Sequence, residues 1–132
     1  MNIFGKHLAQ IEEAIPEMIT EMAAEAIEHF DDSFSNKGFT DGGLKKWKPV
    51  FNKDGSVKEK PLVKTGNLRG SIKSEERDDS ATIYSDVEYA EYHNEGGDVD
   101  GRPPQRQFMG ASQELDDKSI DIIKDKLNRI LK

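Results

Sequence analysis

The chain has no cysteine and a single tryptophan among its 132 residues. The missing thiols exclude disulfides, thiolate nucleophiles and cysteine-ligated zinc. Long apolar runs are missing too. Nothing approaches the ~20 residues of a membrane span, and the N-terminus has no signal-peptide core. A soluble protein made in a cytoplasm is expected. At 34% hydrophobic and 34% charged, the core is thin for the length, which suggests a subunit that gains stability by burying further surface against partners. There are no internal repeats or low-complexity tracts, and the length fits one domain.

Charge is plentiful and segregated. The net charge is −7. Residues 1–34 carry one base against eight acids, residues 35–74 ten bases against three, and residues 75–132 eight bases against fifteen. A chain that is acidic overall is a poor general binder of nucleic acid. Its basic central block can still face phosphate or an acidic neighbour, or be only a solvated lysine-rich loop.

Apolar residues recur at spacings of three and four from Phe4 through Leu8, Ile11, Ile15, Met18, Met22, Ala26 and Phe30 to Phe34, which predicts an amphipathic helix over 3–34. Pro16 removes a backbone donor inside it, so a kink or two abutting helices is expected there. Residues 35–66 read as loop, with a hairpin signal at Asp54-Gly55. Trp47 is either a plug under this loop or an exposed contact residue, and its ring size favours the plug. "SIKSEERDDSATIYSD" reads as two strands about a turn at Asp78-Asp79, with Ala81, Ile83 and Ser85 alternating with Thr82, Tyr84 and Asp86 in a half-buried antiparallel pattern. Residues 94–104 have the Gly, Asp and Pro content of a flexible loop, and "QRQFMG" is a short strand or extended lead-in. A second helix is predicted over 113–131, capped by Ser112, with Leu115, Ile120, Ile123, Leu127, Ile130 and Leu131 as its buried stripe. The expected organisation is one α+β domain: helical 1–34, a basic loop and hairpin region 35–74, sheet and loop 75–110, and a helix in 111–132. Its small antiparallel sheet would pack with the two helices.

"EYAEYHNEGG" (88–97) is the one stretch that invites a catalytic or metal reading. If 88–95 is extended, Glu91, His93 and Glu95 share a face, and a metal-dependent nuclease or hydrolase becomes conceivable. His7 and His29 bear no fixed relation to His93, and no H-E-x-x-H motif exists. "TGNLRGS" lacks the lysine of a phosphate loop, "DVDG" is an incomplete calcium loop, and no G-x-S-x-G elbow occurs. The residues therefore point away from an enzyme, with no metal or cofactor expected.

Taken in order, Trp47-Lys48-Pro49, "PLVKTGNLRGS", "YAEYHNEGG" and "RPPQRQFMGAS" make a familiar series. The series resembles the phage virion morphogenesis family, the tail-completion proteins of Mu-like phages and prophages. The matching positions are Leu62, Thr65, Gly66, Leu68 and Ser71, then Tyr89, Ala90, His93 and Gly96, then Pro104, Arg106, Phe108 and Gly110. The resemblance runs from about residue 39 to the C-terminus, with the N-terminal helix agreeing in kind. It implies a structural subunit of a ring that completes the tail or joins it to the head. It also implies residence in the virion after assembly in a bacterial cytoplasm, and contacts with other tail or connector proteins. In that setting 88–97 is a conformational corner: Tyr89 and Tyr92 pack, His93 satisfies a hydrogen bond, and Gly96-Gly97 allow the turn. Lys45, Lys46, Lys48, Lys64 and Arg69 are then the candidate surface toward a neighbouring copy or toward DNA in the ring lumen. Another reading, a monomeric nucleic-acid-binding module on residues 37–73, predicts salt-dependent DNA affinity without self-assembly.

Overall fold

Small and aromatic side chains alternate along one face of the N-terminal segment, and that face becomes the spine of the fold. The computed structural model describes residues 3–49, 51, 53–56, 67–96 and 105–132, with residues 3 and 4 described by backbone only. Helix α1 spans Ile3–Asn36. It buries Ala14, Met18, Ala23, Ala26, Phe30 and Phe34, whereas Leu8, predicted on the same stripe, is exposed. The helix runs through Pro16 without a break, so the expectation of two abutting helices is corrected. Pro16 is solvent-exposed, where the carbonyl that its ring deprives of a partner can be hydrated. Thr20 Oγ1 donates to the Pro16 carbonyl at 3.1 Å.

Lys37 ends α1 with φ 53°, and the chain reverses into a hairpin that the sequence reading took for loop. Strand β1 (Gly38–Thr40) pairs antiparallel with β2 (Leu44–Lys46), with Phe39 opposite Lys45. The turn between them is Asp41-Gly42-Gly43, with both glycines at positive φ. The expected second turn, at Asp54-Gly55, is present as a local bend in which Ser56 N–H donates to Asp54 Oδ1 at 2.9 Å. The strands expected around it fall largely on residues 50, 52 and 57–66, outside the described residues.

A 3₁₀ turn, Arg69–Ser71, leads into β3 (Ile72–Glu76), which pairs antiparallel with β4 (Ala81–Ser85) in the register Ile72 to Ser85. Arg77 N–H donates to the Ser80 carbonyl at 2.7 Å across the predicted turn. Among the described residues each sheet has two strands and the sheets do not join, so the α+β expectation holds with two small sheets in place of one.

A short helix, α2 (Ala90–Glu95), follows, and α3 spans Gln113–Ile130. Ion pairs from Lys126 to Glu17 (2.9 Å) and from Lys118 to Glu25 (3.9 Å) place α3 antiparallel against α1. The stripe predicted for α3 mixes two faces. Of its members Leu115, Leu127 and Ile130 are half-buried and Ile120, Ile123 and Leu131 exposed, while Ile122, outside the predicted stripe, is half-buried too. The core lies higher up, where α1, β1, β3, α2 and the segment before α3 meet around Phe30, Phe34, Phe39, Trp47, Leu68 and Phe108. Trp47 is the plug, and its Nε1–H donates to the Gln107 carbonyl at 2.8 Å.

Two polar latches join these parts. Arg69 grips Asp31 with two bonds of 2.7 and 2.9 Å and reaches Ser35 Oγ at 2.8 Å. The hydrogen bond from Arg69 holds the Asp31 carboxyl below its ordinary pKa. At the other latch, Ser112 caps α3 by accepting from Leu115 N–H, and its buried hydroxyl lies 2.8 Å from His29 Nε2 and 2.7 Å from the Thr40 carbonyl. A proton on His29 Nε2 satisfies all of them, because Ser112 then accepts from the ring and donates to Thr40. Glu114 completes this latch by accepting from the Gly42 and Gly43 N–H groups at 3.1 and 3.0 Å. Ser112→Ala should therefore cost about 1–2 kcal/mol through the lost cap and the stranded carbonyl. The expected result is a lower urea midpoint with an unchanged slope; a wild-type midpoint would show that the latch is idle.

Candidate functional site

Phe108 sits at the centre of the core with 1% of its surface exposed, on a segment, 105–110, that belongs to no sheet. A buried extended backbone needs partners for its polar groups, and here side chains supply them. Asn94 Oδ1 accepts from Phe108 N–H (2.9 Å) and Met109 N–H (3.1 Å), and Ser33 Oγ donates to the Phe108 carbonyl at 3.0 Å. Trp47 covers the Gln107 carbonyl, as described, and the His93 carbonyl accepts from Arg106 N–H at 2.7 Å. The motifs containing Trp47, His93 and Phe108 thus converge on one strand-like segment. Asn94 and Ser33, both central to it, were missed. Asn94 carried a faint signal as an amide just before a glycine turn, and Ser33 carried none.

Helix α2 ends at Gly96, with φ 41° and its N–H donating to the Tyr92 carbonyl. A Cβ there would lie 2.4 Å from Gln105 Cα and 2.5 Å from Gln105 N. Residue 105 therefore passes directly over the corner, and only glycine leaves room. Ala90 packs into the core, while Leu68 and Ser71 are buried at the turn before β3. Ser71 Oγ donates to the Leu68 carbonyl at 2.6 Å and meets Ser85 Oγ at 2.5 Å. Gly110 has φ 150°. Tyr89 and Tyr92, expected to pack, are both exposed, and Tyr89 meets His93 edge-on at 5.9 Å. Lys64, Thr65, Gly66 and Pro104, together with Leu62, Gly97 and Arg102, lie outside the described residues.

The extended geometry on which a Glu91, His93 and Glu95 site depended does not occur. These residues lie on α2, where successive side chains are ~100° apart. Glu91 and Glu95 share the solvent side one turn apart, and His93 points to the other. Among the described residues no group of three or more His, Asp or Glu side chains could hold a metal ion. Asn94 and Glu95 belong to this helix as well, so the predicted flexible loop starts later than residue 94. A cleft of about 310 Å³ beside α2, lined by Ser85, Glu91, Glu95 and Gly110 among others, offers two carboxylates with no activated nucleophile. Ser85 is already engaged with Ser71.

His93 is held by its backbone, and among the described residues its ring shows no hydrogen bond. Among those residues its buried Nδ1 has no hydrogen-bond partner, and neither does Arg106 Nε, although Arg106 is only 7% exposed. Burial pushes the His93 imidazole below its ordinary pKa, and the positive charge of Arg106 acts in the same direction. Burial also lowers the Arg106 guanidinium.

The basic candidates divide. Lys45, Lys46 and Lys48 are exposed on and just after β2, with Lys45 near Asp41 at 3.9 Å. Arg69 is drawn inward by Asp31 and Ser35, with its guanidinium 6.0 Å from the centre of the Phe34 ring.

The sequence model of the phage virion morphogenesis family matches residues 2–128. No curated protein and no solved structure gives a significant match.

Gly96→Ala should lose at least the ~1–3 kcal/mol of a strained backbone position, because the added methyl meets backbone. Gly70→Ala, where a Cβ meets nothing within 4 Å, is the matched control. Equal melting temperatures for the two variants would refute the close approach.

The folded pKa of His93 is depressed, so the unfolded chain takes up a proton at higher pH than the folded one. Stability from the neutral ring is complete above pH ~6.5 and is lost as pH falls through the lower folded value. Between pH 7 and 5 the melting temperature of His93→Gln should fall less than that of the wild type. Parallel curves would show that this ring does not titrate with folding.

Proposed function

The chain belongs to the phage virion morphogenesis family, and from that premise we propose that it completes the tail or joins it to the head as a subunit of a ring. The family assignment makes it a structural component of phage morphogenesis. The finer role, the ring and the lack of any turnover are our reading. The observation that carries it is the family match over nearly the whole chain. The geometry of the motifs is its companion: Trp47, Ala90, Gly96, Arg106 and Phe108 are spent on holding a shape. Shape-holding residues suit a part whose work is to present surfaces. The neighbours of such a subunit are other tail or connector proteins. Exposed Lys45, Lys46 and Lys48 suit an acidic neighbour or DNA passing through a lumen.

Removing the gene from an inducible phage genome tests this. The expected result is heads and incomplete tails that do not join, restored by the wild-type chain in trans, with the chain detected in purified particles. Normal infectious particles from the null strain would overturn the reading.

A further inference from the structure

Helices α1 and α3 form one layer, and a layer needs a second to cover its apolar face. At the upper end the second layer is β4. Ile19, Met22 and Ala26 of α1, Ala81 and Ile83 of β4, and Leu115 of α3 surround a common cavity of about 200 Å³. The same faces continue below the hairpin. On α1, Leu8, Ile11 and Ile15 precede Ile19 at spacings of three and four. On α3, Ile120, Ile123, Leu127 and Leu131 repeat in the same way. Among the described residues nothing covers this stretch fully: Leu8 is 58%, Ile120 47% and Leu131 56% exposed.

The rim of this groove is acidic at its head and along α1. Thr20 Oγ1 donates to Glu76 at 3.1 Å, which brings the β3–β4 turn to the head of the groove. That turn carries Glu75, Glu76, Asp78 and Asp79 around one arginine, all exposed. The lower half of α1 carries Glu12, Glu13 and Glu17, whereas that of α3 carries Lys124, Arg129 and Lys132, the last two beside Leu131.

The complementary surface is on the same molecule. Every residue of β2 is exposed; Leu44 stands next to Lys45 and Lys46, and Phe51 is 63% exposed a few residues on, beyond Lys48. Glu114 ties the β1–β2 turn to the start of α3, whereas the groove ends at Leu131. Leu131 lies 17 residues, ~25 Å at 1.5 Å per residue, beyond Glu114, so the tip of a molecule does not reach the lower end of its own groove. We infer that the apolar groove between the lower halves of α1 and α3 receives the basic tip of a second copy, residues 44–48 with Phe51. A contact between two different patches is head-to-tail, and it closes into a ring when its rotation allows. The inference rests on the ring reading for its setting, but its own test is separate.

Because the chain has no cysteine, Leu44→Cys and Ile123→Cys in one chain report the contact directly. Under mild oxidation, purified protein at high concentration and assembled particles should both give a ladder of linked chains, and either cysteine alone should not. In the double-cysteine chain, charge reversal of the tip (Lys45→Glu with Lys46→Glu) and blocking of the groove (Ile120→Lys) should each abolish the ladder. Mixed one to one, they should form a single heterodimer, since one keeps its groove and the other its tip. Both sites are exposed, so far-ultraviolet circular dichroism and melting should stay at wild-type values.

Loss of assembly in the groove variant alone, with no rescue on mixing, would mean groove-to-groove pairing and overturn the inference. So would double-cysteine particles that give no ladder, which would leave the groove to another virion protein. Either result leaves the tail-joining function standing. That function falls only on the gene-removal experiment.

Discussion

The fold depends on burying the backbone of residues 105–110 outside any sheet. A strand in a sheet shares the task of hydrogen bonding with its neighbour, but this segment has no strand neighbour. Five of its backbone groups are met by specific groups from elsewhere: Asn94 and the His93 carbonyl from α2, Ser33 from α1, and Trp47 from the loop after β2. An unmet buried amide costs about as much as a lost hydrogen bond with its desolvation, ~1–3 kcal/mol. Three other parts of the chain must therefore be in place before Phe108 can be buried. The same requirement explains Gly96, since α2 must end abruptly for residue 105 to cross it.

Around that centre α1 acts as a spine with two unlike halves. Its upper half is enclosed by both hairpins, α2 and the Phe108 segment, and the polar latches at Asp31–Arg69 and His29–Ser112 lie there. Its lower half touches only α3 among the elements described, through Ala14, Met18 and the ion pairs of Lys126. The thin core expected from composition is thus concentrated rather than dilute. One end of the molecule is packed to completion, and the other is a pair of helices with apolar residues still facing water.

Element type was legible wherever one period dominated. The two long helices, the β3–β4 hairpin with its turn at Asp78-Asp79, and the Ser112 cap followed from spacing and turn chemistry. Short elements were not. β1 and β2 have three residues each, too few for a period to be visible, and Asp41-Gly42-Gly43 was read as loop although it is a turn signal. α2 is six residues long, and its alternating acids imitated a strand. That imitation made a metal site conceivable, and helical geometry removed it. On α3 two apolar faces lie side by side, so a list of apolar positions could not separate the face that meets α1 from the one left open. The motif positions were legible through resemblance, but their purpose was not. Sequence order gives no hint that Asn94 and Ser33 serve the same backbone segment across 60 intervening positions.

The charge segregation gains a physical meaning from the same asymmetry. Exposed ion pairs are worth ~0–1 kcal/mol each, so a basic tip and an acidic rim cannot by themselves hold two subunits together. Desolvating apolar residues such as Ile120, Ile123 and Phe51 supplies ~25 cal/mol per Å² and carries no orientation of its own. The two terms divide the work: opposite charge sets which ends meet and how fast, and apolar burial sets how long they stay. Within the body, by contrast, the one bidentate pair, Arg69 with Asp31, is partly shielded and joins neighbouring elements of the same chain. That is why Arg69, though part of the basic block, works in the fold while Lys45, Lys46 and Lys48 remain at the surface.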